Sequence, residues 1–572
     1  MESPISVMIA GAAGEGVMQA GRMLGRALTR KGFHVYINVE YPSLIRGGHN
    51  TSHVRFYTEE VWSHSDKIDF LIALNKESVE KHIDELTGRG GVIYDSTLIK
   101  DGEIGDARYF PIPMTRIVRE LKTRPVVRNT IGLGALFKLL GLNINTLRNV
   151  IETFFKEKQK VIDVNIKAAE IGYNYKGLEP LFQLEQFATY KPKLLIAGNE
   201  AVGLGAIKAG LKFFVAYPIT PASPLFHFLA ENQLRKKLVV IQAENEIAAV
   251  NMVMGAAYAG VRAMTATSGT GFGLMVEGFG ATAMVESPAV FALVMRPGPG
   301  SGMPTFTSQA DLRFILHASH GEFARVVIAP GDVEEAFYLA GEAFNIAEKF
   351  QLPVVLLYDK FLAEGYKSVD YLDESKIKID RGKIEKGKNN GKVDVFLRYK
   401  VTKDFISPRI FPGTKGYVVN ANITEHDETG WSKIIPETRE IMAMKRIRKI
   451  EAVKKENYPW VKHYGDRDSK LGIIAWGSTK GPILEALKHF RSKGLKIRYL
   501  QVVFLSPFPV DQIKEFVGNL DEVILIEGNY TGQLGSLLKE HLYFDPQYKL
   551  LRDNGLQFTP SDIIKFIEEE VL

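Results

Sequence analysis

An α/β fold of three Rossmann-like domains is the architecture that the sequence predicts, and three observations carry the prediction. A short apolar run, followed at once by glycines or small residues and then by a helical pattern, opens at residue 5, again at 194 and a third time at 471. The length of 572 residues suits three or four domains rather than one. Apolar residues at 45% and charged residues at 24% are typical of soluble globular chains, which excludes wholesale disorder.

The elements follow in order. Residues 5–10 form a strand, Gly11, Gly14 and Gly16 a tight loop, and the apolar periodicity continues as a helix to Leu28, the first unit of a parallel sheet. Further strands fall at 35–38, 52–57, 70–74 and 91–95, helices fill 129–155, and the first domain closes at 185. A linker with Pro192 precedes the second domain, 191–372. There 194–197 is a strand, Gly198, Gly203 and Gly205 form a loop, and a helix runs toward Gly210. Its next strands are 213–216, 238–242, 263–267, 289–295 and 353–358. A connecting segment, 373–465, holds seven Lys or Arg between Lys376 and Lys392, with Asn389, Asn390 and Gly391, and reads as solvated surface. The last domain, 466–572, has strands at 471–476, 497–503 and 523–527, with a helix to Phe490.

Composition narrows the function classes. A net charge of +6 over this length is too dilute to argue for nucleic acid or an anionic membrane. No cysteine is present, which excludes disulfides, a thiol nucleophile and thiolate-held zinc or iron–sulfur clusters within the chain. Met1, Glu2, Ser3 and Pro4 carry no basic segment, arguing against a signal peptide. The best apolar stretch, from Val202 to Tyr217, contains Lys208 and Lys212, which disfavours a membrane span. The expectation is a cytoplasmic protein.

Several strand ends carry chemistry-bearing residues. Gly11, Gly14 and Gly16 have GxxGxG spacing, which either turns amides toward an anion or simply permits a tight turn. No acidic partner for a ribose follows. Pro42 to Asn50 is a polar loop in which Arg46 and His49 flank Gly47 and Gly48. Tyr217, Pro218, Ile219, Thr220 and Pro221 leave an apolar strand, and the two prolines stiffen the backbone around the Thr220 hydroxyl. That is either a strand stop or a ligand-facing hydroxyl at the carboxyl end of a parallel strand.

Glu244 and Glu246 stand in a first helical turn, where capping is the default for an acid. Their apolar surroundings equally suit a carboxylate of raised pKa that moves a proton. Thr265 to Gly273 is a strand-end glycine loop without the ending of a P-loop. Arg296 directly follows an apolar strand and opens a Pro/Gly turn running to Thr305, and its guanidinium can grip a carboxylate with two donors.

Together these segments resemble the α subunit of 2-oxoacid:ferredoxin oxidoreductases, in the form with a γ-type domain fused at its N-terminus. The YPITP motif is intact at residues 217–221, the acid-rich strand end is matched at 242–246, the TSGPG-like loop at 268–271 and the RxGPSTGxPT turn at 296–305. The γ-type domain is matched at Gly11, Gly14, Gly16 and 42–50. Ser407, Pro408, Arg409, Phe411, Pro412, Gly413, His426, Asp427, Glu428, Glu527, Gly528, Asn529, Gly532, Gln533 and Leu534 are similar to the later regions, so the likeness runs nearly end to end. The sequence departs at Thr270, where proline is common, and at Gly300 and Ser301, which replace Ser-Thr beside the expected carboxylate site.

The resemblance implies a γ-type domain, a thiamine-diphosphate pyrimidine-type domain and a transketolase C-terminal-like domain. It implies coenzyme A-dependent oxidative decarboxylation of a 2-oxoacid, with ferredoxin taking the electrons. Glu246 would hydrogen-bond the aminopyrimidine ring as the catalytic and cofactor-binding residue. Thr220 and Arg296 would bind the substrate carboxylate, with Thr305 a weaker candidate. No GDG motif with a following Asn is found, since Gly331-Asp332 and Gly465-Asp466 lack that context. Mg2+ and the diphosphate would therefore meet a β subunit at the interface, and a [4Fe-4S] cluster would sit on that subunit. The isolated chain would be inactive, and the complex a heterodimer or a dimer of heterodimers. Two other readings stand beside this one: a thiamine enzyme with a different acceptor, and a nucleotide-binding or scaffolding α/β protein.

Overall fold

The computed structural model describes residues 1, 3–42, 48–100, 108–387 and 392–572. Arg46, Gly47, Asn389, Asn390 and Gly391, named above, lie outside these. Two compact units are present. The first comprises Met1–Ala197 with Glu364–Tyr371 and Thr559–Lys565, and the second Gly198–Ala363, Leu372–Phe558 and Phe566–Leu572.

The sheet of the first unit runs Tyr109–Ile112, Leu86–Asp95, Ile68–Ala73, Ile5–Ala12, His49–Tyr57, His34–Glu40, Tyr366–Val369 and Leu194–Ala197. Ile5–Ala12 pairs in parallel with Ile68–Ala73, as expected, but His49–Tyr57 lies antiparallel to both Ile5–Ala12 and His34–Glu40. The sheet is therefore mixed. The link from Glu40 to His49 is too short for the crossover of a dozen or so residues that a parallel return needs. Helices Val17–Arg30 and Arg128–Leu139 bury their apolar residues against this sheet, including Leu24, Leu28, Ile131 and Phe137.

Among the described residues, the second unit holds a two-stranded sheet, Asp394–Val395 with Tyr417–Val418, and two larger ones. One is ordered Phe504–Ser506, Val326–Ile328, Val354–Asp359, Val290–Met295, Ala263–Thr267, Phe213–Ala216 and Val239–Gln242. The other is Val461–Gly465, Arg498–Val502, Leu471–Trp476, Glu522–Glu527 and Tyr548–Leu551. One apolar core serves both, since Phe291, Leu293 and Leu357 cluster with Ile474, Trp476, Leu500 and Leu525. The helix Pro436–Lys454 is held by its lysines: Lys445 and Lys449 both pair with the wholly buried Glu286. Burial alone would raise the Glu286 carboxyl, but the two ammonium groups hold it well below the usual range.

No glycine loop separates strand Leu194–Ala197 from the helix that follows it. Helix Gly198–Lys208 starts directly at the strand end, with Gly203 and Gly205 inside it. A Cβ on Gly205 would stand 2.1 Å from the Phe337 carbonyl oxygen and one on Gly198 2.1 Å from that of Leu362. These glycines serve close packing of backbone on backbone rather than a turn.

Candidate functional site

Four strands place the site. Val290–Met295, Ala263–Thr267, Phe213–Ala216 and Val239–Gln242 are consecutive neighbours and mutually parallel. Their carboxyl ends therefore open on one edge of the sheet, where open α/β sheets bind ligands. Arg296 leaves the first strand, Ser268 the second, Tyr217 the third and Ala243 the fourth.

Beyond Phe213–Ala216, the Ile219 carbonyl accepts the amides of Ala222 and Ser223, both at 2.9 Å. Asn199 donates to the Pro221 carbonyl at 3.0 Å and accepts from the Tyr358 hydroxyl at 2.9 Å. Tyr217 is exposed, Pro218, Ile219 and Thr220 are half-buried, and Pro221 is buried. The segment is a braced turn at the strand end.

Arg296 reaches this turn. It is only 8% exposed, and its Nη1 donates to the Thr220 carbonyl at 2.6 Å, while its Nε is buried with no partner. Burial lowers its pKa, and Asp311 acts in the opposite direction. A buried guanidinium with an idle donor is a socket for an anion.

Glu246 is the first residue of helix Glu246–Tyr258 and is 5% exposed. Capping falls to its neighbour, since the Asn245 side chain accepts the Ala248 amide at 2.9 Å, and Glu244 is exposed. The default capping role for an acid here is thus displaced, and Glu246 is held buried without that task. Its carboxylate lies against the helix Gly269–Met284, which begins directly after Ser268 rather than after a glycine loop. A Cβ on Gly271 would stand 2.5 Å from Glu246 Oε1 and 2.1 Å from Thr267 Oγ1. Glycine at 271 is therefore what admits the carboxylate. The hydroxyls of Thr265, Thr267 and Ser268 are buried without partners at the same strand end. Gly271→Ala is expected to displace Glu246, measured as loss of bound cofactor in a complex that still assembles.

The turn after Arg296 is closed by Met303 N to the Pro297 carbonyl at 3.1 Å. Gly302 has φ of +49°, and a Cβ there would lie 1.8 Å from the Pro297 oxygen, so only glycine fits. Thr305 is half-buried in this turn. The Thr270 hydroxyl donates to the Gly300 carbonyl, so two of the departures noted in the sequence touch each other. Beyond the turn, Gln309 is bound at both ends: its Nε2 donates to the Trp476 carbonyl at 2.9 Å and its Oε1 accepts the Gly528 amide at 2.8 Å.

Asp311 is not singled out by sequence reading, and Glu527 is named there only within the likeness to the later regions. Asp311 has a buried, unpartnered Oδ2, and burial pushes its carboxyl up to about 6 against the pull of Arg296. Glu527 is wholly buried and accepts from Trp476 Nε1 at 2.9 Å, with its carboxyl pushed up to about 7 by burial. The heightened pKa of neither is visible in a single sequence, because it depends on what packs around the group.

In the first unit, the loop of Gly11, Gly14 and Gly16 already holds an anion of its own. The Glu15 carboxylate accepts the Ala12 amide at 2.7 Å and pairs with Arg128, which also contacts Asp95 at 3.4 Å. His49 Nε2 lies 2.7 Å from His82 Nε2, and burial together with His82 pushes its pKa down to about 4. Among the described residues, no group of three or more His, Asp or Glu side chains is arranged to hold a metal ion. A buried carboxylate beside orphaned hydroxyls, in a space kept clear by Gly271, fits the edge of a nitrogen heterocycle such as an aminopyrimidine.

Comparison with known proteins gives matches along most of the chain. Residues 204–445 match the family model described as pyruvate flavodoxin/ferredoxin oxidoreductase, thiamine diP-bdg. Residues 6–175 match pyruvate ferredoxin/flavodoxin oxidoreductase, and 469–563 match pyruvate:ferredoxin oxidoreductase core domain II. The chain is 35% identical to a 2-oxoacid:ferredoxin oxidoreductase subunit alpha of Saccharolobus solfataricus, over 99% of this chain and 98% of that one. It is 36% identical to a 2-oxoglutarate synthase subunit KorA of Archaeoglobus fulgidus, over 60% of this chain and 90% of the relative. A solved structure of 2-oxoglutarate:ferredoxin oxidoreductase from Magnetococcus marinus, with 2-oxoglutarate, coenzyme A and succinyl-CoA bound, superposes with a TM-score of 0.89. That structure is 32% identical, and the match covers 100% of both chains.

Proposed function

We propose a division of labour among the residues described above from one premise: this chain belongs to the family of 2-oxoacid:ferredoxin oxidoreductase alpha subunits. It is an oxidoreductase subunit, and the reaction is the coenzyme A-dependent oxidative decarboxylation of a 2-oxoacid with reduction of ferredoxin. Thiamine diphosphate, when bound, supplies the electron sink that lets carbon dioxide leave.

The observation that carries the site assignment is Arg296, buried, anchored on the Thr220 carbonyl and left with an idle Nε. Its guanidinium binds the substrate carboxylate, and the anchor fixes the fork before substrate arrives. The Thr220 hydroxyl lies on the same braced turn, and Thr305 is the further contact from the turn beyond. Glu246 hydrogen-bonds the aminopyrimidine ring and holds the proton at the ring nitrogen. Tyr217, Pro218, Ile219 and Pro221 keep that turn stiff.

A β subunit completes the site. With no cysteine in the chain, the [4Fe-4S] ligands belong to that partner, together with the hold on Mg2+ and diphosphate. Ile247, Met252 and Leu274 are exposed on the two helices beside the site, and a Cβ on Gly255 or Gly273 would meet open space. An apolar surface of small residues suits another subunit's helices. The complex is a heterodimer, alone or as a dimer of two, and ferredoxin docks on it. The sequence division into 1–185, 191–372, 373–465 and 466–572 is part of the same reading. No helix of the described residues is long and apolar enough to cross a membrane, and we place the complex in the cytoplasm.

The test is reconstitution with the polypeptide encoded beside this one. The pair is expected to retain thiamine diphosphate and to reduce ferredoxin with a 2-oxoacid and coenzyme A, whereas either chain alone does not. A lone chain that binds a mononucleotide tightly, with no gain on adding the second polypeptide, would instead favour the nucleotide-binding reading.

A further inference from the structure

Asp311 is a charged group with a buried carboxyl that the proposed function leaves unused. It immediately precedes helix Leu312–His317, and its side chain makes no capping hydrogen bond there. Its Oδ2 is buried without a partner, as is Nε of Arg296. An ideal Cβ on Gly269 would stand 2.3 Å from Oδ2 and 2.8 Å from Oδ1. The carboxylate therefore lies across the first turn of helix Gly269–Met284, where the helix dipole favours an anion. Gly269 follows strand Ala263–Thr267, the parallel neighbour of Val290–Met295, so this acid and the guanidinium assigned to an incoming acid stand at adjacent strand ends, with no ion pair between them.

We infer that Asp311 is a positioning residue for the 2-oxoacid, which acts through Arg296 and ties binding of the substrate carboxylate to uptake of a proton at its own carboxyl. This rests on the assignment of Arg296 to that carboxylate. While Asp311 is ionised, the guanidinium is already partly neutralised, and the substrate meets a like charge. Once Asp311 is neutral, the full charge of Arg296 is available and no repulsion remains.

The groups facing Asp311 come from several elements. Arg296 follows strand Val290–Met295 and favours the ionised form. Asp553, beyond strand Tyr548–Leu551 and held by the Ser308 hydroxyl at 2.9 Å, opposes it. On its own helix, Arg313 is turned to Glu540 at 3.5 Å, and His317 lies in the last turn. Burial is the largest influence and raises the carboxyl to about 6, so the proton is exchanged in the neutral range. A bound carboxylate raises that pKa further. Substrate affinity is then highest below the free-enzyme value and falls as pH rises through it, levelling above the value reached in the complex.

The experiment uses the assembled complex and 2-oxoglutarate, which is fully ionised over the range. KM and kcat are measured from about pH 5.5 to about pH 8.5, where a one-unit pKa change gives about a tenfold effect. In the natural protein KM is expected to climb by about tenfold across this range. Asp311→Asn is expected to give a low KM that no longer varies with pH, and Asp311→Glu to restore the climb with a displaced midpoint. Calorimetric titration of the complex with glutarate, a dicarboxylate that lacks the keto group and cannot be decarboxylated, is expected to show proton uptake on binding for the natural protein and none for Asp311→Asn. A climb in KM that survives in Asp311→Asn overturns the inference, as does proton uptake that survives. Should Asp311→Asn fail to assemble, an Asp311→Glu complex with the natural midpoint overturns it. If Arg296→Ala leaves KM unchanged, the carboxylate assignment falls and this inference falls with it. If Arg296→Ala raises KM while Asp311→Asn keeps the climb, only this inference falls.

Discussion

Replacing Glu246 by Gln in the assembled complex is expected to lower kcat by about 100-fold or more while the KM for the 2-oxoacid changes little, the usual scale for removing a positioned proton-transfer group being about 10²–10⁴. The reason is the isolation of this carboxylate. It is buried, Asn245 has taken over the cap, and glycine at 271 leaves room for its Oε1. Gln keeps the shape and can still accept a hydrogen bond, but it cannot hold a proton on demand. The helix start survives the change because Asn245, not Glu246, caps it. Ferredoxin reduction measures the loss, and thiamine diphosphate content shows whether assembly is intact. Full activity in Glu246→Gln would remove the carboxylate from the mechanism.

Arg296→Ala is expected to raise KM by about tenfold or more, since a charge-assisted hydrogen-bonded pair contributes about 1.5–3 kcal/mol. The Thr220 carbonyl also loses its 2.6 Å donor, so the braced turn relaxes and part of the effect reaches kcat. Arg296→Lys separates the two contributions. It keeps the charge but not the planar fork, and is expected to recover part of KM without recovering the anchor on Thr220. KM and kcat measured for both variants in the reconstituted complex decide the matter. An unchanged KM in Arg296→Ala would remove Arg296 from the carboxylate site.

Much of the candidate site is legible in the chain because its residues lie at strand ends. Arg296 after Val290–Met295 and Thr220 after Phe213–Ala216 each follow a run of apolar residues, and the carboxyl end of a parallel strand is where ligands sit. Asp311 has no such marker. It follows a Pro/Gly turn, and its meaning comes from Gly269 and Arg296, both distant along the chain. The glycine patterns were misleading in a consistent way. Gly198, Gly203, Gly205 and Gly271 read as loops, yet they lie within helices and are glycine because another backbone or side chain comes within about the width of a Cβ. In the loop of Gly11, Gly14 and Gly16, the Glu15 carboxylate takes the Ala12 amide from within the chain, a contact the glycine spacing does not announce.

What the chain alone determines is the class of fold, the strands and the residue types at their ends, because alternation, apolar runs and proline geometry act over a few neighbours. The tertiary structure decided which strand ends are adjacent, that His49–Tyr57 runs antiparallel to both its neighbours, and that Asn245 rather than an acid caps its helix. It also placed the Arg296 guanidinium on Thr220 and Asp311 over Gly269. Sheet order and burial are sums over contacts between distant segments, and desolvation, the largest influence on Asp311, exists only once those segments have closed around it.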